Sequence, residues 1–206
     1  MFRRLALPLM VLALAACNAE APAQDTDQTP PPLDQPAQDV PPATAPVPVP
    51  EPKADSGLAR FDGYGDMRFG MTEAEMTKAW GGTLNGDASG AAADQCHYRN
   101  PVSNPVPSYF AFMIDGGKFV RYDVGNDKEV APGGGRRGMG ADEIRSLYPG
   151  RVAESAHKYV EGGKYLTVAA DDGSGGKLVF ETDAAGKVSE WHVGVEPQVD
   201  YIEGCS

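Results

Sequence analysis

The sequence is poor in the residues that most often build catalytic and metal-binding sites. Its 206 residues include three cysteines, three histidines and two tryptophans. The histidines, His97, His157 and His192, lie far apart in the chain. The patterns His-x-x-x-His, Cys-x-x-Cys, Gly-x-Ser-x-Gly and the phosphate-binding loop are all missing. The sequence therefore predicts no metal, no cofactor, no catalytic residue and no enzymatic activity.

Basic runs and long apolar runs are missing as well. The net charge is −11, and residues 58–206 hold only one adjacent basic pair, Arg136-Arg137. A negative domain without a Lys/Arg run argues against binding to nucleic acid or to an anionic membrane surface. The apolar run at residues 5–16 is shorter than the 18 or more residues of a membrane-spanning helix.

That short apolar run has the flanks of an export signal. Two arginines precede it, and the small residues at its end lead into Cys17. This order resembles a bacterial lipoprotein signal, in which residues 1–16 are removed and Cys17 is acylated. By resemblance to enteric sorting, Asn18 implies an outer-membrane anchor on the periplasmic side, with surface exposure also possible. The alternative is an ordinary secretory signal that leaves Cys17 as an odd thiol in an oxidising compartment.

Composition divides the rest of the chain into two unlike parts. Residues 18–57 hold eleven of the eighteen prolines, seven acids, one base and no aromatic residue. Such a segment cannot bury enough apolar surface to fold, so residues 17–57 are predicted to form a lipidated, disordered linker. Residues 58–206 carry every Trp and Tyr and are long enough for a core, with a net charge of −7.

This domain contains an internal repeat. Residues 70–82 align with residues 138–150 at an offset of 68, and both begin with Gly-Met. Phe112 and Asp115 match Phe180 and Asp183 at the same offset. After one extra turn residue the offset becomes 69, and four further matches follow: Lys118, Tyr122, Val124 and Gly125 with Lys187, Trp191, Val193 and Gly194. This series of matches in fixed order predicts two copies of one unit, in residues 58–130 and 131–206.

Each copy is predicted to open with a short helix. Thr72 and Glu75 have the spacing of a capping box, and Gly140 and Glu143 take the corresponding positions. Apolar residues at i, i+3 and i+4 then give each helix one stripe to pack on a sheet (Met76, Ala79 and Trp80; Ile144, Leu147 and Tyr148). Trp80 and Tyr148 are therefore interpreted as core residues rather than as ligand-stacking aromatics.

Strands are predicted after each helix. Residues 109–114 and 119–124 flank an Asp-Gly-Gly-Lys turn, and residues 177–182 and 187–195 flank a turn one residue longer. A further strand is expected at 164–170, with weaker signals at 64–69 and 97–99. The alternation of Val120, Tyr122 and Val124 is typical of a half-buried antiparallel strand. The predicted fold is α+β, with two tandem units that each pack a short helix on an antiparallel sheet.

The Gly-Met-Thr-x-x-Glu opening, the short helix and the strands that follow resemble the BamE (SmpA/OmlA) and β-lactamase-inhibitor-protein group. BamE proteins are outer-membrane lipoproteins with one such unit, and the inhibitor protein has two in tandem. The resemblance covers residues 64–195 and implies a fold, but it assigns no binding residue. Residues 61–66 and 200–205 are also similar to small proteobacterial lipoproteins that bear the label "lectin".

Two cysteines remain once Cys17 is lipidated. Cys96 and Cys205 are then an even pair in an oxidising compartment, which predicts a disulfide between them. This bond would tie an early strand of the first copy to residues near position 205. A metal site and a reactive thiol are the alternatives.

Polar and aromatic residues cluster in both copies. Asp94, His97 and Tyr98 flank Cys96, and residues His157, Lys158 and Tyr159 follow each other in the second copy. We expect the two clusters to face each other as a binding surface. The competing interpretation is solvated strand edges and a packed tyrosine. Arg136 and Arg137, in the glycine loop 133–137, could hold an anion, or the loop could simply be a flexible link.

The leading hypothesis for function is a non-enzymatic lipoprotein that binds an envelope protein, either an assembly partner or an enzyme that it inhibits. The alternative is a glycan-binding module, suggested by the aromatic residues of the strands (Tyr109, Tyr122, Tyr159, Tyr165 and Trp191). Two copies in one chain pair within the molecule, so a monomer is expected.

Overall fold

Eleven strands and two helices make up the described part of the chain, which is residues 57–86, 95–104 and 106–205 of a computed structural model. The predicted signal peptide, Cys17, the linker up to residue 56 and Asp94 lie outside these residues. The helices are α1 (Glu73–Trp80) and α2 (Ala141–Leu147). The strands are β1 (Ala59–Arg60), β2 (Gly63–Tyr64), β3 (Met67–Arg68), β4 (Leu84–Asn85), β5 (His97–Pro101), β6 (Phe110–Asp115), β7 (Lys118–Val124), β8 (Val152–Ala156), β9 (Lys164–Ala169), β10 (Lys177–Thr182) and β11 (Val188–Gly194).

One antiparallel sheet of eight strands is the centre of the fold. Its order is β4-β5-β6-β7-β11-β10-β9-β8, and a small sheet of β1, β2 and β3 precedes it in the chain. Strands β7 and β11 pair in the middle, with Trp191 opposite Val124 and Val193 opposite Tyr122. The predicted α+β class is therefore confirmed, and strands β4 to β7 of residues 58–130 join strands β8 to β11 of residues 131–206 in one continuous sheet.

Both helices begin where the sequence predicts. Thr72 Oγ1 accepts a hydrogen bond from the Glu75 backbone N–H (3.3 Å), and Glu75 accepts one from the Thr72 N–H (2.9 Å). This is the predicted capping box. Gly140 has no side chain, so only the second half of the box forms in α2, where Gly140 N donates to Glu143 Oε2 (2.7 Å). Helix α1 ends at Gly81, whose φ of 73° suits a residue without a Cβ.

The core lies between the large sheet and the two helices. Met76 of α1 and Ile144 of α2 are fully buried against it. Tyr148 is buried as predicted, whereas Trp80 is only partly buried and packs on the edge of the core. The sheet contributes alternate side chains of its central strands to this apolar face (Phe110, Phe112, Ile114, Tyr122, Val124, Leu178, Phe180, Trp191 and Val193). Alternation then sends the intervening residues to the opposite face, which carries neither α1 nor α2 and which we call the helix-free face.

The same backbone contacts occur twice. Gly70 N donates to Phe119 O (2.8 Å) and Phe119 N donates to Met71 O (2.9 Å). At positions 68 or 69 residues later, Gly138 N donates to Val188 O (2.8 Å) and Val188 N donates to Met139 O (2.9 Å). In both places the turn before the helix is therefore hydrogen-bonded to the second strand of the hairpin, which is β7 in the first copy and β11 in the second.

Two β-bulges interrupt the alternation of side chains that the sequence predicts for the hairpin strands. The pairing of β6 with β7 shifts after Met113, which leaves Val120 unpaired, and the pairing of β10 with β11 shifts at the matching residue, Ser189. Val120 therefore does not belong to the core cluster that holds Tyr122 and Val124, although the sequence suggests one alternating series. Strands β1, β4 and β8 were not predicted, because none of them has an alternating apolar pattern.

The two edges of the large sheet are short or charged. Strand β4 is only two residues long. On β8, Glu154 forms ion pairs with Arg145 of α2 and Lys164 of β9 (2.8 Å). Its hydrogen bonds to Arg145 and then to Lys164 lower the pKa of Glu154 to about 2. A carboxylate therefore stays charged at this edge at any physiological pH.

The predicted disulfide is confirmed. Cys96, immediately before β5, is bonded to Cys205, 109 residues later. The bond anchors the end of a segment that leaves β11, forms a 3₁₀ turn at Gln198–Asp200 and crosses the helix-free face of the sheet. We call residues 196–205 the strap.

Removing this bond is expected to lower the free energy of unfolding. Closing a loop of 109 residues stabilises a protein by about 4 to 5 kcal/mol in the chain-entropy model, so the Cys96→Ser/Cys205→Ser double variant should lose up to that amount. Urea unfolding measures the difference. The wild-type protein unfolded with a reductant present serves as the control and should match the variant. A loss below about 1 kcal/mol would contradict the expectation.

Candidate functional site

The candidate site lies on the helix-free face, under and beside the strap. Tyr98 of β5, Arg121 and Asp123 of β7, and Glu190 and His192 of β11 all project to this face. Glu181 of β10 adds a further carboxyl group. These residues, with strap residues 202–204, surround a pocket of about 290 Å³. A second pocket of about 170 Å³ lies nearby and shares Glu181, His192 and Ile202 with it.

Arg121 holds the strap to the sheet. The residue is only 4% exposed. Nε donates to Asp123 Oδ1 at 2.8 Å, and Nη2 donates to the same oxygen. Nη1 donates to two strap carbonyls, at 2.7 Å to Tyr201 and 3.3 Å to Gln198. Four hydrogen bonds thus occupy most of the five N–H donors that a guanidinium offers.

The carboxylates of the pocket are not all neutralised. Asp123 Oδ2 is buried and accepts no hydrogen bond within 3.5 Å from the described residues, although the Tyr98 hydroxyl interacts with this carboxyl group. Glu190 is exposed and makes neither a hydrogen bond nor an ion pair within 4 Å to any residue in the described ranges. Burial raises the pKa of Asp123 despite the neighbouring Arg121. Burial of its carboxyl group and the nearby charge of Asp123 raise the pKa of Glu190.

Glu181 lies between two imidazoles. His157 Nδ1 accepts backbone N–H bonds from Tyr159 (3.1 Å) and Val160 (3.2 Å), so its Nε2 carries the proton that is donated to Glu181 Oε2 (2.9 Å). His192 Nε2 contacts the Val199 carbonyl (2.9 Å), which can only accept, so Nε2 carries the proton of that ring.

Burial is the main cause of the pKa shifts of His192 and Glu181. In the neutral ring Nδ1 turns its lone pair toward Glu181 Oε1, 3.8 Å away. Burial, followed by the charge of Arg121, lowers the pKa of His192. Burial, followed by the charge of Glu190, raises the pKa of Glu181. The buried pair therefore favours its uncharged forms.

The far part of the strap rests on few contacts besides the disulfide. Val199 is buried on the sheet and Lys177 pairs with Asp200 (3.0 Å), both at the near end. Beyond them, Glu203 accepts hydrogen bonds from Lys158 Nζ (3.2 Å) and the Tyr159 hydroxyl. Gly204 lies against Tyr98, whose hydroxyl would be 2.5 Å from a Cβ at position 204. A side chain there would displace either the strap or the tyrosine.

The structure brings together some of the predicted site residues. Tyr98 lines the larger pocket, and Lys158 and Tyr159 contact the strap at Glu203. The strap thus connects the two predicted clusters through consecutive residues, 203, 204 and 205. His97 projects to the helix-bearing face instead, where its Nε2 lies 3.3 Å from Glu73 of α1.

Arg136 and Arg137 stand apart from the predicted clusters. Both are exposed, and Arg137 Nε donates to the Ser189 carbonyl (2.7 Å). The glycine loop that carries them is packed rather than a free link. A Cβ on Gly133 would be 2.5 Å from the Tyr148 ring, and one on Gly135 would be 2.3 Å from Phe180. The loop therefore packs closely on Tyr148 and Phe180 at these two glycines.

Sequence reasoning missed most of the pocket (Arg121, Asp123, Glu181, Glu190 and His192). A signal was available, because Arg-Tyr-Asp in β7 and Glu-Trp-His in β11 alternate charged and aromatic residues in paired strands. Polar positions of a strand are usually solvated. Here the strap covers Arg121 and His192, while Glu190 stays exposed, and the path of the strap was not predictable from the pattern.

The described residues contain neither a metal-binding cluster nor a membrane-spanning helix. No group of three or more His, Cys, Asp or Glu side chains in them is arranged to hold a metal ion. None of the helices in the described ranges has the length and apolar character that crossing a membrane requires.

Comparison with known proteins adds little. No family model and no curated protein matches the chain. A solved structure from Bacillus anthracis str. Ames, an extracellular protein containing a SCP domain, is similar at 13% sequence identity and a TM-score of 0.40. The match covers 74% of this chain and 50% of the other, so this chain spans about half of its length. A TM-score this low does not indicate a shared fold.

Replacing Glu190 with glutamine is expected to stabilise the protein at neutral pH. Because folding raises the pKa of this carboxyl group, the folded state binds more protons than the unfolded state above about pH 4, and stability falls as pH rises through that window. The Glu190→Gln variant has no carboxyl group to ionise here and so keeps this stability. Its Tm should therefore exceed that of the wild type at pH 7.5. The difference should shrink toward pH 4.

Thermal unfolding of both proteins at the two pH values tests this expectation. Asp66→Asn, which removes an exposed carboxylate beside α1, is the control for loss of one negative charge. An equal Tm difference at both pH values would show that the ionisation of Glu190 is not the cause.

Proposed function

We propose that this chain is a lipid-anchored periplasmic protein that binds another envelope protein through the strap and the sheet face beneath it, without catalysis. The observation that carries the proposal is a group of exposed apolar side chains on and beside the strap. Tyr159, Tyr201 and Ile202 are 59%, 37% and 43% exposed. Exposed aromatic and aliphatic side chains next to a pocket are typical of protein-binding surfaces.

The surroundings of these side chains suit a protein interface. Lys158 and Glu203 form an exposed ion pair (3.2 Å) beside Tyr159, and Asp200 precedes Tyr201. An apolar centre with a charged rim is the usual arrangement of such interfaces. Both His157 and His192 are already engaged by groups of the fold, which supports binding rather than acid–base chemistry.

Capture from crosslinked cell envelopes tests the proposal. Wild-type protein should retain a discrete partner, and Ile202→Asp should lose it because a carboxylate at the apolar centre is costly to desolvate. Leu58→Asp is the matched control, since Leu58 is also an exposed aliphatic residue (57%, against 43% for Ile202) but lies beside α1. The proposal fails if both variants retain the partner equally, or if nothing is captured above background.

We infer that anchoring occurs through acylated Cys17, as the signal at residues 1–17 suggests. Labelling of cells with a palmitate analogue should mark the wild-type protein, and Cys17→Ser should remove both the label and the membrane association. Outer-membrane location is read from fractionation on a density gradient. A Cys17→Ser protein that still fractionates with membranes would contradict the anchor.

We also propose that residues 58–130 and 131–206 are tandem copies of one helix-plus-sheet unit related to the BamE and β-lactamase-inhibitor-protein group, paired within a monomer. The recurring helix entry supports this, since Glu73 N donates to Gly117 O (3.1 Å) and Ala141 N to Gly186 O (3.0 Å). The matched bulges at Val120 and Ser189 support it as well.

Glycan binding has less support than protein binding. Of the strand aromatics that suggested it, Tyr122 and Trp191 are buried on the helix-bearing face, and Tyr165 is stacked on His157 with ring centres 4.5 Å apart. The glycan hypothesis would be supported if the wild-type protein sedimented with peptidoglycan and the Ile202→Asp variant sedimented with it less.

A further inference from the structure

The strap is held to the sheet at two separate places. Its near part, residues 196–201, is fixed by contacts of the fold itself. Arg121 Nη1 donates to two carbonyls of this part, and His192 Nε2 donates to a third (2.9 Å). The side chain of Val199 is buried on the sheet. The near part therefore stays on the sheet without the help of a covalent bond.

The far part, residues 202–205, depends on the disulfide instead. Glu203 is hydrogen-bonded to Lys158 and Tyr159, and all three residues are exposed. Exposed ion pairs of this kind contribute little to stability, whereas each residue that is ordered costs conformational entropy. The disulfide removes most of that cost because it fixes the last residue of the far part. Without the bond, the far part has too few contacts to remain ordered.

A reductant can reach the bond from solvent. Cys96 and Cys205 are both partly exposed, and they line a surface depression of about 430 Å³ together with Lys158 and Glu203. Thiol–disulfide exchange begins when a thiolate approaches one of the two sulfur atoms, so access to them controls its rate. The bond can therefore be attacked while the sheet and the near part of the strap stay folded.

Opening of the bond would change the candidate site. Residues 202–204 form part of the wall of the larger pocket, and Gly204 lies directly against Tyr98. Ile202, which is 43% exposed, belongs to the apolar centre of the proposed interface. If the far part leaves the sheet, it takes this side chain and the pocket wall with it, while Tyr201 stays in place on Arg121.

We propose that the Cys96–Cys205 bond is a redox switch that controls the strap. A dithiol reductant opens the bond, residues 202–205 leave the helix-free face, and the surface that binds the partner is lost until the bond forms again. The effect on the partner rests on the proposed protein-binding function, whereas the release of the far part rests on the structure alone.

The exchange is balanced in electrons and protons. A thiolate of the dithiol attacks one sulfur atom of the bond, and the other sulfur leaves as a thiolate and takes up a proton. The second thiol of the reductant then breaks the mixed disulfide. The dithiol is thereby oxidised to a disulfide, and Cys96 and Cys205 are both reduced to thiols. An oxidising disulfide restores the bond by the reverse exchange.

The rate of reduction tests whether the bond opens in the folded protein. The full-length protein in non-ionic detergent is treated with excess dithiothreitol, and the free thiols are alkylated and counted by mass spectrometry. Addition of about 1 M urea should change the rate less than about twofold. A bond that is reached only through global unfolding would react at least about fivefold faster, since urea favours the unfolded state by that factor or more. The second result would overturn the inference.

NMR relaxation locates the released segment. Reduction should lower the backbone order parameter S² of residues 202–205 from about 0.85 to below about 0.6, while residues 196–201 and β7 stay rigid. The Cys96→Ser/Cys205→Ser variant is the control, because it should show the same mobile far part without a reductant and should not respond to one. An unchanged S² in residues 202–205 of the reduced wild-type protein, or a loss of order across the whole strap and the sheet, would overturn the inference.

Partner capture separates the switch from the function on which its effect depends. The oxidised wild-type protein is compared with the Cys96→Ser/Cys205→Ser variant, so that no reductant touches the partner. The variant should retain at least about fivefold less partner, as expected for loss of an interface anchor. Equal retention, together with loss of the partner in Ile202→Asp, would overturn the switch and leave the proposed function standing. If the wild-type protein captures nothing, the proposed function fails, and the reduction rate and the order parameters still decide whether the far part is released.

Discussion

The Arg121 guanidinium is the contact on which the helix-free face depends. It is almost completely buried, and burial of a charge is tolerated only when hydrogen bonds replace the lost water. Asp123 supplies one set of acceptors, and the carbonyls of Gln198 and Tyr201 supply the other. The position of the strap and the charge of β7 are thus coupled. Loss of the strap would leave two donors unpaired, and loss of Asp123 would leave the guanidinium without its counter-charge.

The same face carries charge that reduces stability. Asp123, Glu181 and Glu190 all have a raised pKa, mainly because burial disfavours their ionised forms. A chain selected only for stability would replace such a carboxylate with a neutral residue. Asp123 is paired with Arg121 and Glu181 with His157, whereas Glu190 stays exposed and has no partner within 4 Å among the described residues.

Local patterns were enough to predict the helix-bearing half of the molecule. The capping box at Thr72 and the Asp-Gly-Gly-Lys turn, with its two-residue Gly-Gly loop, depend on contacts within a few residues. Local propensity and spacing are therefore enough to predict them. The disulfide was predicted from the oxidising compartment and from the even number of cysteines left after Cys17, not from geometry. The site was largely missed because it depends on long-range contacts. The strap meets Arg121 about 80 residues away in sequence, and the bulge at Val120 changes which residues share a face with it.

The edges of the large sheet determine how another chain can approach. An exposed, flat edge strand invites a foreign strand to extend the sheet, and proteins prevent this with very short or charged edge strands. Here β4 offers only two residues, and β8 carries Glu154, held ionised by Arg145 and Lys164. Both features disfavour growth of the sheet by strand addition. In the proposed function, a partner protein would therefore dock on the face of the sheet rather than along an edge strand.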